Sequence, residues 1–186
     1  MKRIGLLLFA LIGMTLLESC YGCGGGQSES FNWKDLSLVV KKKNLNSQLL
    51  DGQKIRYDSV EFFFKIDKEY ISFIPTQLFS SSSSLYACDP APPMSNQRVS
   101  EVLISSNNTY ITNSKNFNSS TNLAEIFTGS YNSTIEQFVS NQPLYDDFYF
   151  TIAHPPIGNQ QHEFTFSIKL DDGRVFDKKV TLVITP

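Results

Sequence analysis

Downstream of Phe31 the chain alternates. In IRYDSVEFFFKI, Val60, Phe62, Phe64 and Ile66 share one side of an extended segment, while Ser59, Glu61 and Lys65 occupy the other. This period of two is that of a strand with one buried face. The same pattern recurs near the C-terminus, with Phe148, Phe150 and Ile152 in one run and Phe164, Phe166, Ile168 and Leu170 in the next. Phe176, Val180, Leu182 and Ile184 form the last. WKDLSLVVKK (Trp33 to Lys42), RVSEVLIS (Arg98 to Ser105) and TYITN (Thr109 to Asn113) read as further strands. KEYISFIPT (Lys68 to Thr76) reads as the hairpin partner of the 55–66 segment. Ser80 to Ser84 and Asp89-Pro90-Ala91-Pro92-Pro93 interrupt regular structure, because proline lacks the ladder donor.

Asp171-Asp172-Gly173 joins the last two strands, and the length of that turn fixes their register. A two-residue loop sets Ile168 opposite Asp177 and Phe164 opposite Thr181, mixing apolar and polar side chains on one face. A three-residue loop with Gly173 in the left-handed region sets Ile168 against Phe176 and Phe164 against Val180. The second is the consistent solution, and it leaves only Phe166 opposite Lys178, a mismatch suited to an edge or a bulge.

Between Thr121 and Gln142 the period lengthens. Leu123, Ile126 and Phe127 fall at helical spacing. Ser133-Thr134-Ile135-Glu136 has the spacing of a capping box ahead of Ile135, Phe138 and Val139, with Pro143 as the stop. Several short strands, turns between them and one or two short helices predict a mainly β fold, an antiparallel immunoglobulin-like β-sandwich.

The N-terminus follows other rules. Lys2 and Arg3 precede an apolar run of about fourteen residues, shorter than the roughly twenty a membrane helix needs and suited to a secretory signal. The run ends in LLESC, Leu16 to Cys20, which resembles a bacterial lipobox, and the resemblance implies cleavage before Cys20 and its lipidation. Acyl chains on Cys20 would then tether the protein to a bilayer, at about 0.8 kcal/mol per buried methylene. Residues 1–19 are thus a signal peptide, 20–30 a lipidated tether rich in glycine, and 31–186 a single domain. The tether has an rms reach of roughly 20 Å.

Lipidation of Cys20 leaves Cys23 and Cys88. In an oxidising compartment the pair invites a disulfide that would contribute roughly 4 kcal/mol; alternatively Cys23 stays in the tether and never meets Cys88. The formal charge of −2 supplies no basic stripe, which makes nucleic acid a poor partner. The 15 Phe and 8 Tyr suit an exported β-rich domain.

The lipobox, the NLAEIF segment and the ending EFTFSIKLDDGRVFDKKVTLVITP together resemble small lipoproteins of Bacteroidota whose domains have unknown function. The resemblance implies an outer-membrane location and a β fold and brings no activity, cofactor or site residue.

Residues with chemistry to offer are sparse. His154 and His162, with Glu163 or Asp146, match no metal-ligand spacing, and both imidazoles read as partly exposed. Cys88 with His154 has no nucleophile signature. Asp146-Asp147 and Asp171-Asp172 lack a calcium-loop pattern. No cofactor motif is present. Aromatic side chains near loops or strand ends, Trp33, Tyr86, Tyr110, Tyr131 and Tyr145, are candidates for ligand contact, set against a role in capping the core. Asp58-Ser59-Val60 resembles the short O-glycosylation signal of the same bacteria, with Ser59 as acceptor. The expected role is non-enzymatic: a binding or structural interaction module of the cell envelope, its partner a protein or a glycan. A carbohydrate-active hydrolase, or a small adhesin or pilus-associated subunit pairing through a strand edge, are the alternatives.

Overall fold

The computed structural model describes residues 30–43, 45, 47–71, 92–140 and 146–186. Apart from Pro92 and Pro93 these form one compact unit, Ser30–Ile71 with Met94–Pro186; a second unit, Met1–Glu29 with Ser72–Pro93, otherwise lies outside the described residues. Residues 1–19, read as a signal peptide, and Cys20, Cys23, Tyr86, Cys88, Pro143 and Tyr145 all fall outside the described residues.

The fold is mainly β. Its strands are β1 (Ser30–Lys42), β2 (Lys54–Arg56), β3 (Val60–Ile71), β4 (Met94–Ser95), β5 (Val99–Ser106), β6 (Tyr110–Ile111), β7 (Asn116–Phe117), β8 (Phe127–Gly129), β9 (Phe148–Ile152), β10 (Gln160–Leu170) and β11 (Val175–Thr185). A five-stranded sheet has the order β4-β1-β3-β9-β8 and a four-stranded sheet the order β2-β11-β10-β5, with β6 and β7 forming a small ribbon. The two larger sheets share one apolar core. Rings of β3 meet rings of β10 across it, with Phe62 and Phe166 at 4.9 Å and Phe64 and Phe166 at 5.3 Å between centroids.

Alternation builds the inner faces as expected. Val60, Phe62, Phe64 and Ile66 are buried on β3, Phe148, Phe150 and Ile152 on β9, and Phe164, Phe166, Ile168 and Leu170 on β10. On β1 the parity changes midway. Phe31 and Trp33 are buried at odd positions and Leu36 and Val40 at even ones, because a bulge inserts Lys34 between the pairs Trp33–Lys68 and Asp35–Asp67.

Three strand expectations are corrected. Ile55 and Val60 do not share a strand: Ile55 lies on β2 beside β11, and a 3-10 turn over Tyr57–Ser59 carries the chain to β3 in the other sheet. Lys68–Ile71 does not fold back as a hairpin. Asp67 is the one turn-favouring residue between Ile66 and Glu69, with no glycine, proline or asparagine beside it, and the strand continues to pair with Ser30–Trp33 of β1. The sheets are also mixed, not purely antiparallel, since β1 runs parallel to β4 and β2 parallel to β11. The second arises because the chain leaves β1, changes sheets, and continues alongside the last strand.

The β10–β11 register follows the three-residue loop, with Ile168 opposite Phe176 and Phe164 opposite Val180. Gly173 has φ +88°. A Cβ there would meet nothing within 4 Å, so any cost of substitution comes from the backbone alone. Gly173→Val should destabilise by about 1 kcal/mol or more and Asp172→Asn far less, read from urea unfolding midpoints. Equal, negligible shifts would mean that the loop does not need its left-handed residue. Phe166 does face Lys178, and the mismatch is resolved by reach: Phe166 is fully buried, while the Lys178 ammonium extends to Asp35 Oδ1 at 3.3 Å beside the β1 bulge.

Among the described residues the helical region contains one α-helix, α1 (Ile135–Ser140), and 3-10 turns over Ala124–Ile126 and Ser130–Asn132. Its capping box sits one residue later than expected. The Gln137 backbone N–H donates to Thr134 Oγ1 (3.1 Å), and the Thr134 N–H donates to Gln137 Oε1 (3.0 Å). Ile135 and Phe138 are buried against the core.

Candidate functional site

The structure places the candidate aromatics in different surroundings. Trp33 is fully buried: its Nε1–H donates to Ser95 Oγ (2.8 Å), and its ring lies against Phe148 and Phe176. Tyr110 is also fully buried, with its hydroxyl donating to the His154 carbonyl at 2.8 Å. Desolvation pushes that phenol's pKa well above its usual value. Both rings therefore have their faces committed to the core. Tyr131 differs. It is 96% exposed, on a residue with φ +61°, at the corner between β8 and α1. Ser59 is half-buried in the 3-10 turn, where its hydroxyl donates to Asp58 Oδ1 at 2.9 Å and Asp58 pairs with Arg56.

The acidic pairs serve local structure. Asp147 Oδ1 accepts the Ile66 N–H at 2.8 Å, and Asp146 pairs with Lys68. Asp171 accepts the Arg98 N–H, and Asp172 binds the Arg174 side chain and backbone, which lowers the Asp172 pKa. Among the described residues no three His, Cys, Asp or Glu side chains group as metal ligands.

The outer face of the β5–β10–β11 sheet carries the larger of two described depressions, about 500 Å³. Strand alternation explains its lining. Residues opposite those of the core point outward, so that Ser105, Thr165 and Lys179 form one cross-strand row and Leu103, Ser167 and Asp177 the next. Small hydroxyl side chains on central β10 form the floor, and Leu103, Asn122, Asp177 and Lys179 rise around it. The Ser167 hydroxyl donates to Asp177, and Leu103 is 43% exposed. The trough thus presents hydroxyls and an amide beside one apolar side chain, with the Asp177 carboxylate bonded by Ser167 and the Lys179 ammonium paired with Glu163 at its edge, a polar lining suited to a polar ligand. A smaller depression of about 290 Å³, lined by Leu38, Leu49, Asp51, Glu163 and Val180, holds two carboxylates. Both are engaged: Asp51 caps the Thr181 N–H, and Glu163 pairs with Lys179.

His162 requires a further correction. It is fully buried, not partly exposed. Nδ1 lies 2.8 Å from Ser106 Oγ and Nε2 3.1 Å from Gln160 Oε1. Desolvation lowers its pKa to about 4, so the ring is neutral at physiological pH. The signal was available in the sequence, since counting back by two from Phe166 and Phe164 lands on His162. A serine 2.8 Å from an imidazole suggests nucleophile activation, but Ser106 is itself buried and accepts the Asn108 N–H, and neither depression includes it.

No protein-family model matches the chain, and no curated protein matches it in sequence.

Proposed function

We propose that this chain is a lipid-anchored module of the outer membrane that acts by binding, built on an immunoglobulin-like sandwich. Strand order supports the fold. The series β1-β3-β9-β8 stands in the order A-B-E-D, and β11-β10-β5 in the order G-F-C, with β2 a split-off length of the first strand that crosses to the second sheet. The LLESC stretch supports the anchor. The observation that carries the binding reading is the hydroxyl-lined trough on the outer face of β5–β10–β11. An outer sheet face of long charged side chains would shed partners, whereas small hydroxyls on β10 leave room for a glycan or a polar protein loop to approach the backbone.

The assembly alternative rests on β11. From Val175 to Lys179, among the described residues, its outward edge pairs with no other strand. That edge nevertheless carries Asp177, Lys178 and Lys179, charges of the kind that discourage edge-to-edge addition. Binding is the better-supported reading.

The experiment has two parts. Cys20→Ser should shift the protein from the membrane fraction and abolish labelling by a fatty-acid analogue; unchanged labelling would remove the anchor from the proposal. Envelope glycans, peptides and chromogenic glycoside or ester substrates are then screened against the purified chain and Thr165→Trp, which fills the trough. Binding without turnover, lost in Thr165→Trp, is expected. Reproducible turnover abolished by changing one Asp or Glu would replace binding with catalysis, and binding unaffected by Thr165→Trp would place the site elsewhere.

A further inference from the structure

His162 sits at the end of the domain opposite the β10–β11 turn, where Asn107 and Asn108 also bond to β10: the Asn107 N–H donates to the Glu163 carbonyl (3.1 Å), the Glu163 N–H to Asn107 Oδ1 (2.8 Å) and Asn108 Nδ2 to the Gln161 carbonyl (2.8 Å). The hydrogen-bond polarity is fixed by the partners. Gln160 Nε2 donates to the carbonyls of Ile111 (3.1 Å) and Ile157 (3.3 Å), so Gln160 Oε1 is the acceptor facing the ring, and it also accepts the Ile111 N–H. His162 Nε2 therefore carries the proton and donates to Gln160, and Nδ1 accepts from the Ser106 hydroxyl. Ser106 Oγ in turn accepts the Asn108 N–H at 3.1 Å. The ring thus bonds directly to Ser106 at the end of β5 and holds the Gln160 side chain of β10, which in turn binds Ile111 of β6 and the turn at Ile157.

The surroundings offer nothing to a charged imidazole. Tyr110 of β6 and Phe164 lie against the ring with centroids 5.1 and 5.2 Å away, and Tyr57 stands behind Tyr110. β5 presents Ser106, and β11 presents Leu182 opposite His162. Its neighbour Glu163 pairs with Lys179. Among the described residues no carboxylate bonds to the ring. A proton on Nδ1 would turn the acceptor of the Ser106 hydroxyl into a donor, strand that hydroxyl's hydrogen, and leave a buried cation without a counter-ion.

We propose that His162 is an acid-sensitive latch, whose protonation releases the Asn107–Phe117 segment and the Ile157 turn from β10 while the two large sheets stay folded. Release uncovers Tyr110 and Phe117, both buried when the latch is closed, beside Ile111 and Ile157, which are already 36% and 54% exposed. Acid thereby creates an apolar end surface, at the far end from Ser30 where the chain enters the domain.

The sign follows from the depressed pKa. The closed state takes up its proton only near pH 4, whereas an opened, solvated His162 does so near the ordinary 6.5. The latch is fully effective above about 6.5 and weakens as pH falls towards 4. From those two values the opened fraction rises roughly thirtyfold between pH 8 and pH 5.

Amide hydrogen exchange on the purified chain, expressed as protection factors, tests the idea. Protection at Asn108 and Ile111 should fall about thirtyfold between pH 8 and pH 5, while amides of β3 and the middle of β10 hold, and His162→Gln should abolish the dependence. Constant protection at Asn108 and Ile111 would overturn the latch. So would an equal loss throughout β3 and β10, which would mark a global stability effect. If His162→Gln does not fold, NMR titration of the native ring serves instead: a midpoint near 6.5 without any change in protection rejects the proposal, and one well below 6 coupled to the loss at Asn108 and Ile111 supports it.

Discussion

Phe166→Ala should lower the unfolding free energy by about 3–5 kcal/mol, a large part of the 5–15 kcal/mol typical of a domain. The ring is fully buried at the centre of the core, with Phe62, Phe64, Phe127, Phe150 and Phe164 around it at centroid distances from 4.9 to 6.4 Å. Four of those neighbours belong to the opposite sheet, so the cavity left by truncation cannot close by a rotamer change on β10 alone. The single tryptophan gives the readout, because Trp33 is buried and its emission moves to longer wavelength on unfolding. Phe63→Ala is the control. Phe63 lies between Phe62 and Phe64 in sequence but points outward, half-exposed, with the Lys41 ammonium 3.5 Å from its ring centre. Its loss should cost only about 0.5–1 kcal/mol. Similar effects from the two substitutions would contradict the facing assigned to β3 and β10.

How far the fold can be read from the sequence depends on whether strand parity is kept. On β10 and β11 it is kept, and comparing two loop lengths suffices to select the register that pairs Ile168 with Phe176. On β1 it is broken by one inserted residue. Nothing in NWKDL announces that Lys34 is the bulge, since bulges relieve strain set by the whole sheet and have no obligatory residue type. The turn over Tyr57–Ser59 is only weakly marked, because Asp58 and Ser59 favour turns but neither glycine nor proline accompanies them, and Ile55 and Val60 are left looking like members of one strand. Sheet membership is a long-range property. Ile55 belongs with β11 because Ile184 lies beside it, more than a hundred residues away in the chain.

The site was less legible for a chemical reason. Tryptophan, tyrosine and histidine each join an apolar body to a polar atom, and they serve equally well as a ligand platform or as a core residue whose polar atom finds a partner. Position relative to the strand pattern separates the two roles for Trp33, which stands two residues after Phe31, and for His162, two before Phe164. No such pattern surrounds Tyr110, whose partners are the His154 carbonyl and the His162 ring. The trough on β5–β10–β11 was legible in part. Its floor residues Thr165 and Ser167 are the outward positions of β10, but their concavity depends on Ser120 and Asn122 folding beside β5, where Asn122 Oδ1 accepts the Ile104 N–H.

The second large effect is expected at Trp33, where four pieces of chain meet. Its backbone N–H donates to Gln97 Oε1 at 2.9 Å, its carbonyl accepts from Arg174, and its indole donates to Ser95 on β4 while lying tilted against Phe148 of β9 and Phe176 of β11. Two substitutions separate packing from hydrogen bonding. Trp33→Ala removes both and should cost about 3–5 kcal/mol. Trp33→Phe keeps most of the ring contact and removes the Nε1–H donor; Ser95 Oγ still accepts the Gln97 N–H at 3.2 Å, so about 1–2 kcal/mol is expected. Far-ultraviolet circular dichroism in urea gives both midpoints without the tryptophan signal. A ligand-contact role for Trp33 predicts the reverse, near-native stability in both variants with loss of binding to an envelope glycan. The complete burial of the indole and its bond to Ser95 favour the structural outcome, which leaves Tyr131, 96% exposed, as the candidate aromatic whose ring is open to a partner among the described residues.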